Sequence, residues 1–183
     1  MTAIQEAYLK VLNTPSDIQE HLQILNSYAS NFRHITEFGV RFGTSTTALL
    51  AGQPDRLVCY DICDCPVVQD LRRMAGRTKF TFCQQDTLNA DIEETDFLFI
   101  DDYHSGKHVY KELERHAPKV RKFIAFHDIV LFGVRGEKND EEGILQGINS
   151  YLLGHPEWSV STYRVNCNGL MIIKRSDERE VSH

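Results

Sequence analysis

The chain has 183 residues, a net charge of −6, 42% hydrophobic and 25% charged residues, which is the profile of one globular domain with a substantial core. With no cluster of Lys and Arg, that acidic balance argues against a general electrostatic grip on nucleic acid or an anionic membrane. No apolar run approaches the ~20 residues of a membrane helix, and the start "MTAIQEAYLK" lacks a signal peptide's basic and apolar regions, so a cytoplasmic location is expected.

Ile4, Ala7, Tyr8, Val11 and Leu12 follow one helical face, and Ile18, Leu22, Leu25 and Ala29 follow another. Thr14-Pro15-Ser16-Asp17 stops the first helix and caps the second. The plain reading of residues 1–30 is a helix pair packed over a sheet edge; a dimerisation arm is the alternative, and a homodimer is left open.

Strands and helices then alternate. "HITEFG" is a strand and Thr44 to Ala51 a helix; "RLVCYDI" is a strand and Val67 to Ala75 a helix. "KFTFCQQD" and "DFLFIDD" are strands, Gly106 to Ala117 a helix, "RKFIAFHD" a strand and Ile144 to Leu153 a helix. "WSVSTYRV" and "GLMIIKR" are final strands joined by the turn residues Asn166-Cys167-Asn168-Gly169. The tail from Ser176 to His183 is polar and reads as disordered. Of five cysteines, Cys59 and Cys83 fall in apolar runs as small hydrophobes, whereas Cys63 and Cys65 form a lone C-x-C and read as free thiols.

This order predicts an α/β fold: one Rossmann-like, doubly wound, mostly parallel sheet with an antiparallel C-terminal strand and helices on both faces. Ligands of such sheets sit beyond the carboxyl ends of the strands. Glu37, Asp61, Asp86, Asp101, Asp102, His127 and Asp128 all fall there. The stretch "ITEFGVRFGTSTTALL" adds two glycines and a hydroxyl cluster at a strand–helix join, where the backbone turns sharply and helix N–H groups are free.

No Lys-Ser or Lys-Thr follows the glycines, as a phosphate loop requires, and Arg41 and Phe42 stand where a dinucleotide fingerprint continues. An acidic rim suits a ligand with hydroxylic and cationic parts. Asp61 lies where a carboxylate meets a ribose diol, Asp86 can accept from an adenine amine, and Glu37 can receive an ammonium through backbone and water. Together these describe S-adenosylmethionine.

"EFGVRFGTS" resembles the E-x-G-x-x-x-G-x-S/T first motif of class I S-adenosylmethionine-dependent methyltransferases, in the variant of the catechol-type and cephalosporin-hydroxylase-like O-methyltransferases. "FLFIDDYHSGKHVYKELERHAPKVRKFIAFHDIVLFG", "HPEWSV" and "NGLMIIKR" are similar to later segments of the second group, with Asp102 where Gly is commoner. The resemblance covers about residues 33 to 175. It implies methylation of a small-molecule hydroxyl, with Glu37, Gly39, Arg41, Gly43, Ser45, Asp61, Asp86 and Asp101 at the cofactor. The alternatives are a binding module without turnover and an NAD-type oxidoreductase. Catechol-type relatives hold a divalent metal with an acid after the fourth strand and an acidic pair after the fifth, and use a lysine three residues past the first acid as base. The matching positions here carry Asp101, Asp128 with Ile129, and His104. Ile129 offers no ligand, and His127 is the candidate to stand in for it, giving Asp101, Asp128 and His127 for Mg²⁺ or Mn²⁺ and His104 as base near neutrality. His104, Gly106 and His108 also spell H-x-x-x-H, but no catalytic Glu accompanies them; His108 and His116 read as a solvated helix face. The charged stretch Ile129 to Gly143 is long for a connection and reads as a lid.

Overall fold

The computed structural model describes residues 1–138 and 140–176. Helices α1 (Ala3–Leu12) and α2 (Leu22–Asn31) precede β1 (His34–Phe38), α3 (Thr44–Ala51), β2 (Arg56–Asp61), α4 (Val68–Met74) and β3 (Lys79–Gln84). There follow β4 (Thr95–Ile100), α5 (Gly106–His116), β5 (Val120–His127), α6 (Ile144–Gly154), β6 (Trp158–Arg164) and β7 (Leu170–Arg175). Beyond Ser176, the polar tail lies outside the described residues. No helix among those described is long and apolar enough to cross a membrane.

The strands form one sheet in the order β3-β2-β1-β4-β5-β7-β6. β1 to β5 pair in parallel, and β7 runs antiparallel to both β5 and β6. The expected fold class is therefore the observed one. The hairpin is wider than a simple addition at the edge, because β7 inserts between β5 and β6. Its turn has Cys167 and Asn168 at φ 44° and 63°, and Gly169 N–H donates to the Asn166 carbonyl at 2.8 Å, a type I′ geometry that follows strand twist.

Period-two alternation divides the core. Phe97 and Phe99 of β4 point into a cluster with Ile35, Leu49, Leu57 and Leu71, while Leu98 and Ile100 point into the opposite one with Val109, Leu113, Ile124 and Ile148. The N-terminal helices belong to the first cluster through Ile4, Leu22, Leu25 and Ala29. They pack beside α3 across a face of the sheet and not over its edge, with Tyr28 of α2 against Phe97 of β4 and Phe123 of β5. At the carboxyl ends, the strand order switches between β1 and β4, with β2 and β3 to one side and β5 to the other, the point where open sheets form a crevice.

Candidate active site

Glu37 shares the side of β1 that carries Ile35, so its carboxylate turns under α3 and not toward the rim. It is fully buried. Ser45 Oγ donates to Oε1 at 2.6 Å and Thr46 Oγ1 to Oε2 at 2.7 Å, with Cys59 Sγ 3.0 Å from Oε2. Burial pushes this carboxyl up to about 7, against the opposing pull of the Cys59, Ser45 and Thr46 hydrogen bonds. Glu37 thus anchors the start of α3 from below, and the ammonium contact expected of it from the sequence, through backbone and water, would have to pass by way of this turn.

Above it, the turn is shaped by backbone contact. Gly39 has φ +85°, and a Cβ there would lie 2.1 Å from the Asp101 main-chain oxygen. Gly43, at φ +73°, opens α3 with its N–H bonded to the Val40 carbonyl at 2.7 Å. Asp61 accepts from the N–H groups of Val40 (2.8 Å) and Arg41 (3.1 Å) on Oδ2 and of Cys63 (2.9 Å) on Oδ1. Burial opposes its charge, but those three backbone donors outweigh burial and hold the carboxyl below its usual range. Asp61 thus clamps the turn, with lone pairs left over for a ligand.

A cavity of about 420 Å³ lies over this turn, lined by Gly39, Arg41, Asp61, Asp86, Asp101, Asp102 and His108 among others. Asp86 on its rim accepts from Leu88 N–H at 2.9 Å and Asn89 Nδ2 at 3.1 Å. A second cavity of about 520 Å³ is lined by Ile18, Arg41, Phe42, Ser45, Asp101, Asp102, His104, Asp128, Phe132, Glu137 and Asn168. Arg41, Asp101, Asp102 and Glu137 belong to both walls. Glu37 and His127 line neither.

Where the cavities meet, Asp101, His104 and Asp128 each bring one ligand atom, all within 4.8 Å of one another. His104 Nε2 lies 3.1 Å from Asp128 Oδ2 and 3.5 Å from Asp101 Oδ1, without hydrogen-bond geometry to either, and Asp128 Oδ1 is likewise buried without a hydrogen-bond partner. The ring stacks on Phe132, centroids 4.7 Å apart, and its Nδ1 meets Glu137 Oε1 at 2.6 Å. Burial opposes charge on His104, but Asp101, Glu137 and Asp128 raise it to about 9. That lies above the near-neutral range expected of this base from the sequence. Burial pushes Asp101 up, yet His104 and His127 outweigh burial and bring it to about 2. Burial raises Asp128.

His127 lies beside the two acids it was expected to join. Its Nε2 lies 2.9 Å from the Cys167 carbonyl and therefore carries a proton, while Nδ1 lies 3.2 Å from Asp101 Oδ1. That Nδ1 is also 3.4 Å from Asp128 Oδ1, so His127 stands behind both acids while His104 joins them from the cavity side. Burial works against its charge, but Asp101 leaves it raised. Sequence reasoning missed Glu137; its signal was the charged run after Gly136, read only as a lid. His116, expected on a solvated face, is buried, with Nε2 2.9 Å from the Thr87 carbonyl.

The triad's chemistry fits a divalent cation: two carboxylates and one imidazole with ligand atoms within 4.8 Å of one another, and His104 Nε2 and Asp128 Oδ1 buried without a hydrogen-bond partner. A mixed oxygen and nitrogen set suits Mn²⁺ better than Mg²⁺.

No family model matches the sequence, and no curated protein matches it. Solved structures do. An O-methyltransferase from Bacillus cereus in complex with S-adenosylhomocysteine superposes with a TM-score of 0.66 at 19% identity, over 96% of this chain and 92% of that one. TomG from Streptomyces achromogenes, an O-methyltransferase of tomaymycin synthesis in complex with S-adenosylmethionine, gives 0.66 at 15%, over 97% and 91%. The N-methyltransferase NodS from Bradyrhizobium japonicum, with S-adenosylhomocysteine, gives 0.64 at 10%, over 95% and 99%. At such identities the likeness defines the fold. It is the Rossmann-like methyltransferase fold, shared by enzymes with oxygen and nitrogen acceptors.

Proposed function

We propose that this chain is an S-adenosylmethionine-dependent methyltransferase acting in the cytoplasm on a hydroxyl of a small molecule, with Asp101, His104 and Asp128 holding a divalent cation. The observation that carries the reading is the pair of cavities sharing the Asp101 wall. Both carry several carboxylates; the first overlies the glycine turn, and the second contains the triad beside Ile18, Leu131 and Phe132. In the first, Asp61, Asp86, Asp101, Asp102 and Glu137 outnumber Arg41 and His108, which favours a hydroxylic, cationic ligand over a pyrophosphate.

A sulfonium supplies an activated methyl group, and a bound divalent cation supplies a Lewis acid that lowers a hydroxyl's pKa by several units. The protein's own residues supply position and proton transfer. Gly39 lets a ligand lie against main chain, and Asp61 holds the turn while offering acceptors to a ribose. Ile18, Leu131 and Phe132 give the acceptor an apolar bed. Asp128 and His104, both on that cavity's wall, are the groups placed to take the acceptor's proton. Asp101, held by His127, and His104, held by Glu137, keep the triad aligned.

Calorimetry with S-adenosylhomocysteine, followed by incubation of S-adenosylmethionine with a panel of small phenols, alcohols and amines and mass spectrometry of products, tests this. Binding with methylated phenol or alcohol supports it. Binding with no product from any acceptor favours a binding module, and NADH binding in its place favours the oxidoreductase reading.

A further inference from the structure

Helix α5 buries Val109, Glu112, Leu113 and His116, a helical stripe that is apolar except for two titratable side chains. Glu112 is fully buried, and neither of its carboxylate oxygens has a hydrogen-bond partner. A carboxylate in that position is costly unless a cation or a set of donors compensates it. What faces it is His108, whose Nε2 lies 3.4 Å from Glu112 Oε1 and 3.5 Å from Asp102 Oδ2. Charge-assisted hydrogen bonds run to about 2.7–2.9 Å, so these separations are too long for tight ion pairing. They match another arrangement. Ligands about 2.0–2.2 Å from a tetrahedral ion stand about 3.3–3.6 Å from one another.

We propose that Asp102, His108 and Glu112 form a second divalent-cation site, of the zinc class, in the floor of the cavity over the glycine turn. The three ligand atoms lie within 4.8 Å of one another. Asp102 and His108 line the 420 Å³ cavity, and Glu112 closes the site from behind. An ion therefore enters from the cavity and keeps its fourth position open toward it, as three-ligand zinc sites do. The neighbours hold the ligands in place. Thr87 Oγ1 donates to Asp102 Oδ2 at 3.0 Å, and the Tyr103 ring meets the His108 ring edge-on at 5.4 Å. An imidazole in the set selects Zn²⁺ or Co²⁺ over Mg²⁺. His104 takes no part, so this is not the H-x-x-x-H pair. The site is independent of the methyl-transfer reading.

The test uses the full chain, stripped with a chelator and carrying His104→Gln and Asp128→Asn so that the first triad cannot bind. Co²⁺ is the spectroscopic probe and Zn²⁺ the calorimetric one. One equivalent of Co²⁺ with intense tetrahedral visible bands is expected, unaffected by excess Mg²⁺. Adding Glu112→Gln or His108→Gln should weaken Zn²⁺ binding at least about tenfold. Thermal unfolding in chelator shows which variants are folded, and Glu112→Gln, which removes a buried charge, serves if His108→Gln does not fold. Absence of tetrahedral bands, or unchanged Zn²⁺ affinity in folded Glu112→Gln, overturns the proposal. Anomalous density from Zn²⁺-soaked crystals locates the ion directly, and a peak elsewhere with none at Glu112 also overturns it.

Discussion

Gly39 and Asp101 are in backbone contact: a Cβ on the first would stand 2.1 Å from the main-chain oxygen of the second. The glycine turn and the end of β4 are thus one rigid edge, and both cavities are built against it. Gly39→Ala meets both this clash and a φ of +85°. The backbone conformation alone costs about 1–2 kcal/mol, and displacement of Asp101 adds to that. Chemical denaturation should show the loss of stability, and S-adenosylhomocysteine binding should fall with it. A variant of wild-type stability would contradict the contact.

Asp61→Ala separates clamping from ligand binding. Removing the carboxylate leaves the Val40, Arg41 and Cys63 N–H groups without their acceptor, so stability should drop by about 1–3 kcal/mol in the absence of any ligand. Cofactor affinity should drop as well. An unchanged melting temperature with weakened S-adenosylhomocysteine binding would reduce Asp61 to a ligand contact alone.

Glu37 predicts a pH dependence. Its carboxyl is raised to about 7 in the fold from an ordinary value of 4.5, so between those values the folded state binds the extra proton. Stability from this group is complete below about 4.5, declines as pH rises and levels above 7. The full span is on the order of 3 kcal/mol. Glu37→Gln should flatten that limb of a denaturation-versus-pH curve; an identical slope in the variant would rule Glu37 out as its source.

Asp128→Asn tests the first triad without an acceptor in hand. The substitution keeps the shape and removes the charge, so Mn²⁺ binding followed by paramagnetic resonance of the free ion should weaken by an order of magnitude or more. S-adenosylhomocysteine affinity should change little, because Asp128 lines only the second cavity. Equal Mn²⁺ affinity in both proteins would remove the metal and leave Asp128 as a plain base.

The stretch after Gly136 is tied to the start of α5 and to His104. Tyr103 Oη donates to Glu141 at 2.6 Å, Gly106 N–H to the Glu142 carbonyl at 2.8 Å, and Glu137 meets His104. Glu137→Ala should speed hydrogen exchange in the docked stretch before any ligand is added. No change would mean that Glu137 contributes nothing to docking.

The order of elements was legible in the sequence because each strand and helix is specified by its own period: "DFLFI" and "KFIAF" are apolar on both faces, as buried parallel strands must be. The line of acids after successive strands followed from the same alternation, since the carboxyl end of each strand is simply where its apolar run stops. Parity within a strand even fixes the direction of Glu37, although only the position of α3 shows that Ser45 and Thr46 wait for it there. What the tertiary structure decided is which side chains meet across long stretches of chain. His104 came to stand beside Asp101 and Asp128, with His127 behind them, because the Cys167 carbonyl, supplied by the β6–β7 turn, holds His127 Nε2. Glu137 reached His104 through a fold of the 129–143 segment that has no periodic signal. Asp102, His108 and Glu112 came together because α5 buries Glu112 and turns it toward the same side as His108, one helical turn away. Local periodicity sets the order and the facing of elements; the partners of a titratable side chain depend on where the other elements pack, and no single stretch of sequence contains that.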